Sequence, residues 1–553
     1  MLRVIAVFVA AAVLLTGCVG IPTSGGVETG PIIGSQLPPN VAYVPSGPTP
    51  GSDQQELLED FMLALRGPQN NYAIAKQFLT KDLAPQWNPE ESATVRTGIP
   101  STTAGADTNT LLYTVTTRAV VDADGRYSEQ DPVLQTFTYA FVKEDGEWRI
   151  SSAPNGVVLS QASFNTVFAE RALYFFDPSF AYLVPDVRWF PSRTTLPVRI
   201  VGALTAGPVA WLQQGAVLSA FPIATGVDSV DIESGTATVE LTQEALVASP
   251  TDRDRMRQQL AATLDVATVV MRVGGLVLQT PAVGIAAVKN PQVEGAVLAG
   301  TGDNFGFETV DGVTAIDGIS DKVVAAGATA ATLSSDKASV AILAADGVSL
   351  VRTSGDSAEL LDGRPGLVAP AIDPFRFVWS AQWTSAASIT TFGVDGAEHP
   401  VQSSLPADAE VVSIAVSRDG TRLLAYLSTT VGPMLYVVGI IRQQGSNIPT
   451  SLGEPLELPV VSSTPVDATW VDDRSVATLS RTSDSTPVAL VTLIALGGPS
   501  AALGQLADAT AITGGNNATD GLRVRRANGD IWRAQGGGWV STGLTASFIG
   551  VKQ

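Results

Sequence analysis

The C-terminal half of this 553-residue chain consists of short apolar segments separated by turn dipeptides. Helical periodicity disappears after about residue 292, and segments rich in Val, Ala and Thr alternate with Asp-Gly or Asn-Gly pairs. Such pairs favour tight hairpins because both residues tolerate positive φ. The pairs begin at Asp311, Asp317, Asp346, Asp362, Asp395, Asp419 and Asn528. The pattern predicts an all-β domain over residues 292–553.

Segments of this region resemble one another. Residues 333–341 and 416–425 both run from an apolar residue through Ser-x-Asp and a short turn into a strand, and residues 373–379 and 470–477 are degenerate versions. Self-similar strand pairs spaced about 40 residues apart are typical of a β-propeller, and the region has room for about five to seven blades. A pair of β-sandwiches is the structural alternative.

The N-terminus has the pattern of a bacterial lipoprotein signal. Arg3 precedes an apolar run that ends in Leu15-Thr16-Gly17-Cys18, and Cys18 is the only cysteine in the chain. The run is too short to cross a membrane, which takes roughly 20 residues. We interpret residues 1–17 as a signal peptide and Cys18 as the lipidation site. An ordinary signal peptide with an incidental cysteine is the alternative.

Acyl chains on Cys18 would anchor the protein to the cell membrane, on its extracytoplasmic face, because each buried methylene contributes roughly 0.8 kcal/mol. Residues 18–52 follow as a tether, in which frequent Pro and Gly leave no room for a helix or a paired strand. A single cysteine also excludes disulfides within the chain, so the fold must depend on its cores.

Residues 53–160 are predicted to form an α+β domain. Ser52 and Gln55 have the spacing of a capping box before an apolar helical stripe, and a second short helix is expected over residues 72–79. Strands over 111–121 and 133–142 are followed by a turn at Asp145-Gly146 and a strand at 148–150. The aromatic residues of the second strand are interpreted as core: Phe137, Tyr139 and Phe141.

Residues 165–290 are predicted to form a second, smaller α+β domain. Residues 230–232 and 237–241 flank a hairpin turn, a helix capped by Thr251 extends through Leu264, and Gly274-Gly275 turns a second hairpin. The fold class predicted for the whole chain is therefore multidomain: two small α+β domains followed by an all-β propeller.

Charge and side-chain chemistry exclude several classes of function. The chain has 33 Lys and Arg against 53 Asp and Glu, a net charge of −20, which would repel nucleic-acid phosphates and anionic lipid headgroups alike. We expect no nucleic-acid partner, and membrane attachment through the acyl chains alone.

Enzyme chemistry has little support in the sequence. The only histidine, His399, lies in a polar turn before a proline and is interpreted as a surface residue, so a Ser-His-Asp triad or a zinc site lacks parts. Ser334-x-x-Lys337 is interpreted as a chance match to the serine acyl-enzyme motif. A glycosidase carboxylate pair stays open, because nothing in the spacing selects one. We predict no catalytic residues, no cofactor and no metal.

The order of these parts resembles the actinobacterial lipoprotein LpqB family, which has a GerMN-type (sporulation and spore-germination) domain between its N-terminal domain and its propeller. No single motif is specific, but the combination covers essentially the whole chain. Glu240 stands where the GerMN pattern more often has Asp. The similar segments are residues 15–25, 59–65, 75–80, 173–178, 183–189, 204–208 and 239–242.

The resemblance implies a partner and a role. It implies an accessory lipoprotein that acts on the extracytoplasmic domain of a sensor histidine kinase of the MtrA–MtrB two-component type, in cell-envelope homeostasis and division. It implies neither catalysis nor a cofactor. The alternative is an envelope protein that binds a ligand or processes a glycan in a pocket of the propeller or the first domain.

Overall fold

The structure is a computed structural model that describes residues 44–553 apart from 282–283, 310–311, 461–463, 482–487 and 517. The signal peptide and Cys18 lie outside the described residues, as does most of the predicted tether. The described residues form one compact unit. Within the described part, no helix combines the length and the apolar character that crossing a membrane requires.

The first helix, α1 (Gln54–Ala64), begins one residue later than predicted. Asp53 is the N-cap: its carboxylate accepts the backbone N–H groups of Gln55 and Glu56, and its own N–H donates to the Glu56 carboxylate. The capping box predicted for Ser52 and Gln55 was wrong because these carboxylates take both roles.

Helix α1 packs its apolar face against a five-stranded sheet of order β4-β3-β2-β1-β5. The predicted core aromatics are confirmed, since Tyr139 and Phe141 are buried and Phe137 packs against the same cluster. The strands of the sheet are β1 (Ser92–Ala104), β2 (Thr110–Asp122), β3 (Tyr127–Glu144), β4 (Glu147–Ser152) and β5 (Val157–Ser160).

The segment after α1 departs from the predicted second helix. Residues Gln69–Tyr72 (α2) include positive φ at Asn70, Asn71 and Tyr72, so only Ala75–Phe78 forms a regular 3-10 turn. This segment buries the Tyr72 ring completely in the core of the first domain. A short helix, α3 (Gln161–Val167), then leads from β5 into the second domain.

The second domain has one sheet of order β11-β10-β9-β8 and one of order β12-β7-β6. Both predicted hairpins are confirmed, but the helix Pro250–Leu264 (α5) is capped by Ser249, whose hydroxyl accepts the N–H of Asp252 at 3.1 Å, and not by Thr251. Its elements are β6 (Phe168–Phe176), β7 (Tyr182–Pro191), α4 (Leu196–Ala206), β8 (Val227–Glu233), β9 (Thr236–Leu241), α5 (Pro250–Leu264), β10 (Thr268–Val273), β11 (Leu276–Val277) and β12 (Val288–Lys289).

The C-terminal domain is a propeller whose described strands form six blades of four strands. The last strand of the chain pairs with the first strands of this domain and closes the ring. Blade 1 contains β13 (Leu298–Gly300), β14 (Phe305–Thr309), β15 (Gly312–Ala315) and β36 (Phe548–Lys552). Blade 2 follows α6 (Ser320–Ala325) and contains β16 (Ala330–Leu333), β17 (Ser339–Ala344), β18 (Gly347–Arg352) and β19 (Glu359–Asp362).

Blades 3 to 6 are single sheets formed by consecutive strands. Blade 3 contains β20 (Ala371–Ile372), β21 (Val378–Ser380), β22 (Thr390–Phe392) and β23 (Glu398–Pro400). Blade 4 contains β24 (Glu410–Val416), β25 (Arg422–Thr429), β26 (Gly432–Arg442) and β27 (Pro449–Leu458). Blade 5 contains β28 (Thr464–Trp470), β29 (Ser475–Arg481), β30 (Val488–Ala495) and β31 (Ser500–Ala507). Blade 6 contains β32 (Ala509–Thr513), β33 (Arg523–Arg526), β34 (Asp530–Gln535) and β35 (Gly538–Thr545).

The Ser-x-Asp repeat is a recurring turn between the first two strands of a blade. In blade 4, the Ser417 hydroxyl donates to Asp419 at 2.7 Å, and Asp419 accepts the N–H of Thr421 at 3.0 Å. In blade 2, Ser334 donates to Asp336 at 2.6 Å, and Asp336 accepts the N–H of Ala338 at 3.0 Å. The carboxylate thus satisfies the turn amides, which explains why the sequence pattern recurs.

Candidate functional site

The second domain is docked on the propeller by the segment that precedes β8. The 3-10 turn Ala210–Leu212 contacts β26 and β27 of blade 4, and the Trp211 side chain packs against the apolar cores of both domains. The Trp211 ring therefore connects two hydrophobic clusters that would otherwise be separate.

Two glycines of the propeller provide the space for this docking. A Cβ on Gly439 would lie 2.7 Å from the Ala216 Cβ and 2.9 Å from the Trp211 carbonyl oxygen. A Cβ on Gly497 would lie 3.0 Å from the Val187 carbonyl oxygen. Both positions require glycine because the backbone of the second domain occupies the place of a side chain.

Polar contacts fix the orientation of the docked domain. The indole N–H of Trp189 donates to the carbonyl of Gly497 at 2.7 Å. From the first domain, the carboxylate of Glu129 accepts the N–H of Ser500 at 2.8 Å. Both contacts fall where the chain turns from β30 into β31, so blade 5 touches both preceding domains.

The first and second domains are joined by a carboxylate between two guanidinium groups. Glu90 forms ion pairs with Arg193 and Arg199, and each of its oxygens accepts from one of them. Burial alone would raise the pKa of Glu90, but its bonds to Arg199 and Arg193 lower the pKa below the ordinary value. The pair of arginines thus holds a charged carboxylate at the domain junction.

A small cavity lies beside this ion-pair cluster. It has a volume of about 30 Å³, room for a water molecule or two, and its walls include Glu90, Asp122, Phe168, Trp189 and Arg199. Close by, the hydroxyl of Tyr72 is buried and has no hydrogen-bond partner among the described residues. A cavity of this size can hydrate the junction but cannot hold a sugar ring.

The residues considered for catalysis do not come together. His399 lies in β23, beyond the turn predicted to contain it, where it pairs with Thr391 and packs edge-on against Phe377 with ring centroids 5.9 Å apart. The ammonium group of Lys337 donates to Glu294 at 2.5 Å, whereas the hydroxyl of Ser334 donates to Asp336. The described residues contain no His, Cys, Asp and Glu grouping suited to a metal ion.

Glu240 has a structural role in the second domain. Its carboxylate accepts the N–H of Gly275 at 2.8 Å and so stabilises the turn between β10 and β11. A shorter aspartate at this position would have to reach further to make the same bond. Cys18, the predicted lipidation site, lies outside the described residues.

The contacts that join the domains could not be predicted from the sequence. Trp211, Gly439 and the Glu90 pair belong to segments with no local motif, and their partners are far away in the chain. The only local signal was the isolated Gly439 inside the apolar strand β26, and a glycine within a strand is also typical of ordinary bulges.

An exposed apolar patch lies on the first domain. Ile99 sits in a bulge of β1 and is 97% exposed, and Leu134 on β3 is 75% exposed. Both strands flank the same stretch of β2, where Thr116 pairs with Leu134 on one side and with Thr97 on the other. Val133, the preceding residue of β3, is also exposed but points to the opposite face of the strand. Grouped exposed apolar residues are typical of protein-contact surfaces.

Family models match three consecutive parts of the chain. They are described as the N-terminal domain of lipoprotein LpqB, over residues 47–165; sporulation and spore germination, over residues 172–277; and the lipoprotein LpqB beta-propeller domain, over residues 307–546.

Curated relatives carry the same name. Lipoprotein LpqB of Cutibacterium acnes is 31% identical over 292 residues, covering 50% of this chain and 47% of the relative. Lipoprotein LpqB of Thermobifida fusca is 30% identical over 296 residues, covering 49% and 46%. The chain thus spans about half the length of the curated relatives it matches. Among solved structures, the first GerMN domain of GerM from Bacillus subtilis is 25% identical, with 22% of this chain and 94% of that chain covered and a TM-score of 0.18.

Proposed function

Since the chain belongs to the LpqB lipoprotein family, we propose that it is a non-enzymatic accessory protein that binds the extracytoplasmic domain of an MtrB-type sensor kinase. Lipid on Cys18 would hold it to the outer face of the cell membrane, in reach of the kinase. Binding there would modulate signalling in cell-envelope homeostasis and division.

The observation that carries the proposal is the docked three-domain body. The second domain contacts both the first domain and blades 4 and 5, so the described unit presents its outer surfaces in a fixed arrangement. A rigid body loses little conformational entropy on binding, which favours protein recognition. The apolar patch of Ile99 and Leu134 lies on the domain that the tether joins, and we assign it to the kinase contact.

Replacing Cys18 by alanine is expected to release the protein from membranes or to block its maturation, because alanine has no thiol to acylate. Membrane fractionation and labelling with radioactive palmitate measure this. Ser24→Ala, in the tether, is the control and should keep both membrane attachment and label. Equal palmitate labelling of the Cys18→Ala variant would refute lipidation at Cys18.

Binding to the kinase is tested with its purified extracytoplasmic domain. We expect an affinity on the order of micromolar, and binding about tenfold weaker for Leu134→Asp, as for a central interface residue whose loss costs more than about 1 kcal/mol. Val431→Asp is the matched control, because Val431 is 81% exposed on a propeller turn outside the patch.

The binding results test the choice of partner and the choice of contact surface separately. Tight binding that Leu134→Asp leaves unchanged would contradict the patch assignment alone. No binding of the full mature chain at micromolar concentrations would contradict the kinase as partner, and binding of envelope glycans instead would support the alternative function.

A further inference from the structure

The carboxyl ends of the innermost strands meet at one end of the propeller channel and bring an unusual set of charges together. β36 runs parallel to β16, with Leu333 opposite Lys552. Gln553 continues from there: its N–H donates to the Leu333 carbonyl at 3.1 Å, and its side-chain amide donates to the Val416 carbonyl of blade 4 at 2.9 Å. One residue therefore links three blades.

Two cations at this end have no carboxylate partner among the described residues. Arg418 donates to the carbonyls of Val471 and Gly515 at 3.0 and 3.1 Å. Lys552 donates to the carbonyls of Glu294 and Ala296, both at 2.8 Å. Acidic groups act on both cations from beyond ion-pair distance: Asp472 and Asp473 on Arg418, and Glu294 on Lys552.

Several hydrogen-bonding atoms here are buried and unpaired. Among the described residues, no partner exists for Arg418 Nη1, Arg422 Nε, Asp473 Oδ2 or Gln553 Oε1. Asp473 and Gln553 are 6% and 8% exposed, and Arg422 is inaccessible. Unpaired buried polar atoms are rare in native proteins and usually indicate water or a bound group.

The charged residues among these belong to one cluster, which Lys552 extends to its neighbour Gln553. The guanidinium of Arg422 donates to the backbone carbonyl of Asp473 at 2.8 Å. The carboxylate of Asp473 interacts electrostatically with both Arg422 and Arg418. Burial and the charges of Arg418 and Arg523 lower the pKa of Lys552 to about 8, against the opposing effect of Glu294. The cations therefore repel one another, and an anion would relieve both the repulsion and the unpaired donors.

We propose that Arg418, Asp473, Lys552 and Gln553 form a phosphate-binding site at this end of the channel. The unpaired atoms include arginine N–H donors and also two acceptors, so the ligand must both accept and donate hydrogen bonds. A hydrogen phosphate or a phosphomonoester in its monoanionic form does both. Sulfate has the same shape and accepts, but at neutral pH it has no hydrogen to give to Asp473 or Gln553.

Calorimetric titration and thermal unfolding of the full mature chain test the site with three probes at matched ionic strength: inorganic phosphate, glycerol phosphate and sulfate. We expect phosphate to bind at least about tenfold more tightly than sulfate, since a buried acceptor left unpaired is costly. Binding of inorganic phosphate alone identifies the free ion as the ligand, and binding of glycerol phosphate as well identifies a monoester; both support the site.

Variants assign the binding to these residues. Arg418→Gln and Lys552→Gln should each weaken phosphate binding about tenfold or more, because charge-assisted bonds are lost. Asp473→Asn should reduce the preference for phosphate over sulfate, since an amide can donate to sulfate. Arg376→Gln is the control, because Arg376 lies in the corresponding turn of blade 3 but pairs with Asp336 at 2.6 Å. Absence of phosphate binding, or equal binding of sulfate by the wild type, would overturn the proposal.

Discussion

The Arg422→Met variant is expected to lose about 3–5 kcal/mol of propeller stability, the cost of leaving one partner of a buried ion pair uncompensated. Arg422 and Asp419 form an ion pair in which both side chains are essentially inaccessible to solvent. The guanidinium also lies over the Trp470 ring, 4.9 Å from its centroid. Methionine retains much of the apolar length of the side chain but removes the charge and its hydrogen bonds.

The pH dependence of stability should change in the same variant. Burial would raise the pKa of Asp419, but Arg422 and the hydrogen bonds from Thr421 and Ser417 outweigh it and lower the pKa below its ordinary value. The carboxylate therefore stabilises the fold above its unfolded pKa, and this stability is lost as the pH falls through the folded pKa. Without Arg422, the loss should begin at a higher pH.

Urea unfolding followed by tryptophan fluorescence measures both effects, with Arg352→Met as the matched control. Arg352 pairs with Glu359, which is about half exposed, so the same substitution should cost less than about 1 kcal/mol. The double variant Asp419→Asn/Arg422→Met removes both charges and should recover part of the loss. An Arg422→Met cost equal to that of Arg352→Met would contradict a stabilising buried pair.

The turns of the propeller could be predicted from the sequence, but its buried ion pairs could not. The repeat at 416–425 identified the turn around Asp419, because the Ser-x-Asp bonds that form it are local. Nothing local showed that Arg442 reaches Asp373, 69 residues away, where both side chains are buried. Long-range ion pairs depend on which blades become neighbours, and that follows only from the closed ring.

The number of blades was also beyond the sequence. Blade 3 is built from strands as short as Ala371–Ile372, which are too short to show alternation. Blade 1 takes its innermost strand from the end of the chain, so its four strands are not consecutive. The predicted helix starts were wrong for a simpler reason. Asp53 and Ser249 cap these helices in place of the nearby Ser52 and Thr251, and only the backbone geometry decides which residue becomes the cap.

Substituting Gly439 by valine is expected to separate the second domain from the propeller while leaving each domain folded. The branched side chain would meet Ala216 and the Trp211 carbonyl at distances well inside van der Waals contact. Overpacking of this kind costs about 1–3 kcal/mol, and here docking can be lost instead because the two domains have separate cores. Small-angle scattering should show a larger radius of gyration, and limited proteolysis should cut the linker at 290–297 faster.

Two further variants keep this result interpretable. Gly538→Val is the matched control, since Gly538 begins a strand and the nearest atom to a Cβ at this position would be 3.9 Å away, so docking should be unchanged. Trp211→Ala removes the same contact from the side of the second domain, without adding bulk to blade 4, and should also increase proteolysis of the linker. If Gly439→Val and Trp211→Ala both keep the wild-type radius and cleavage rate, the Trp211 contact does not hold the domains together, and the remaining polar contacts at Gly497 and Ser500 suffice.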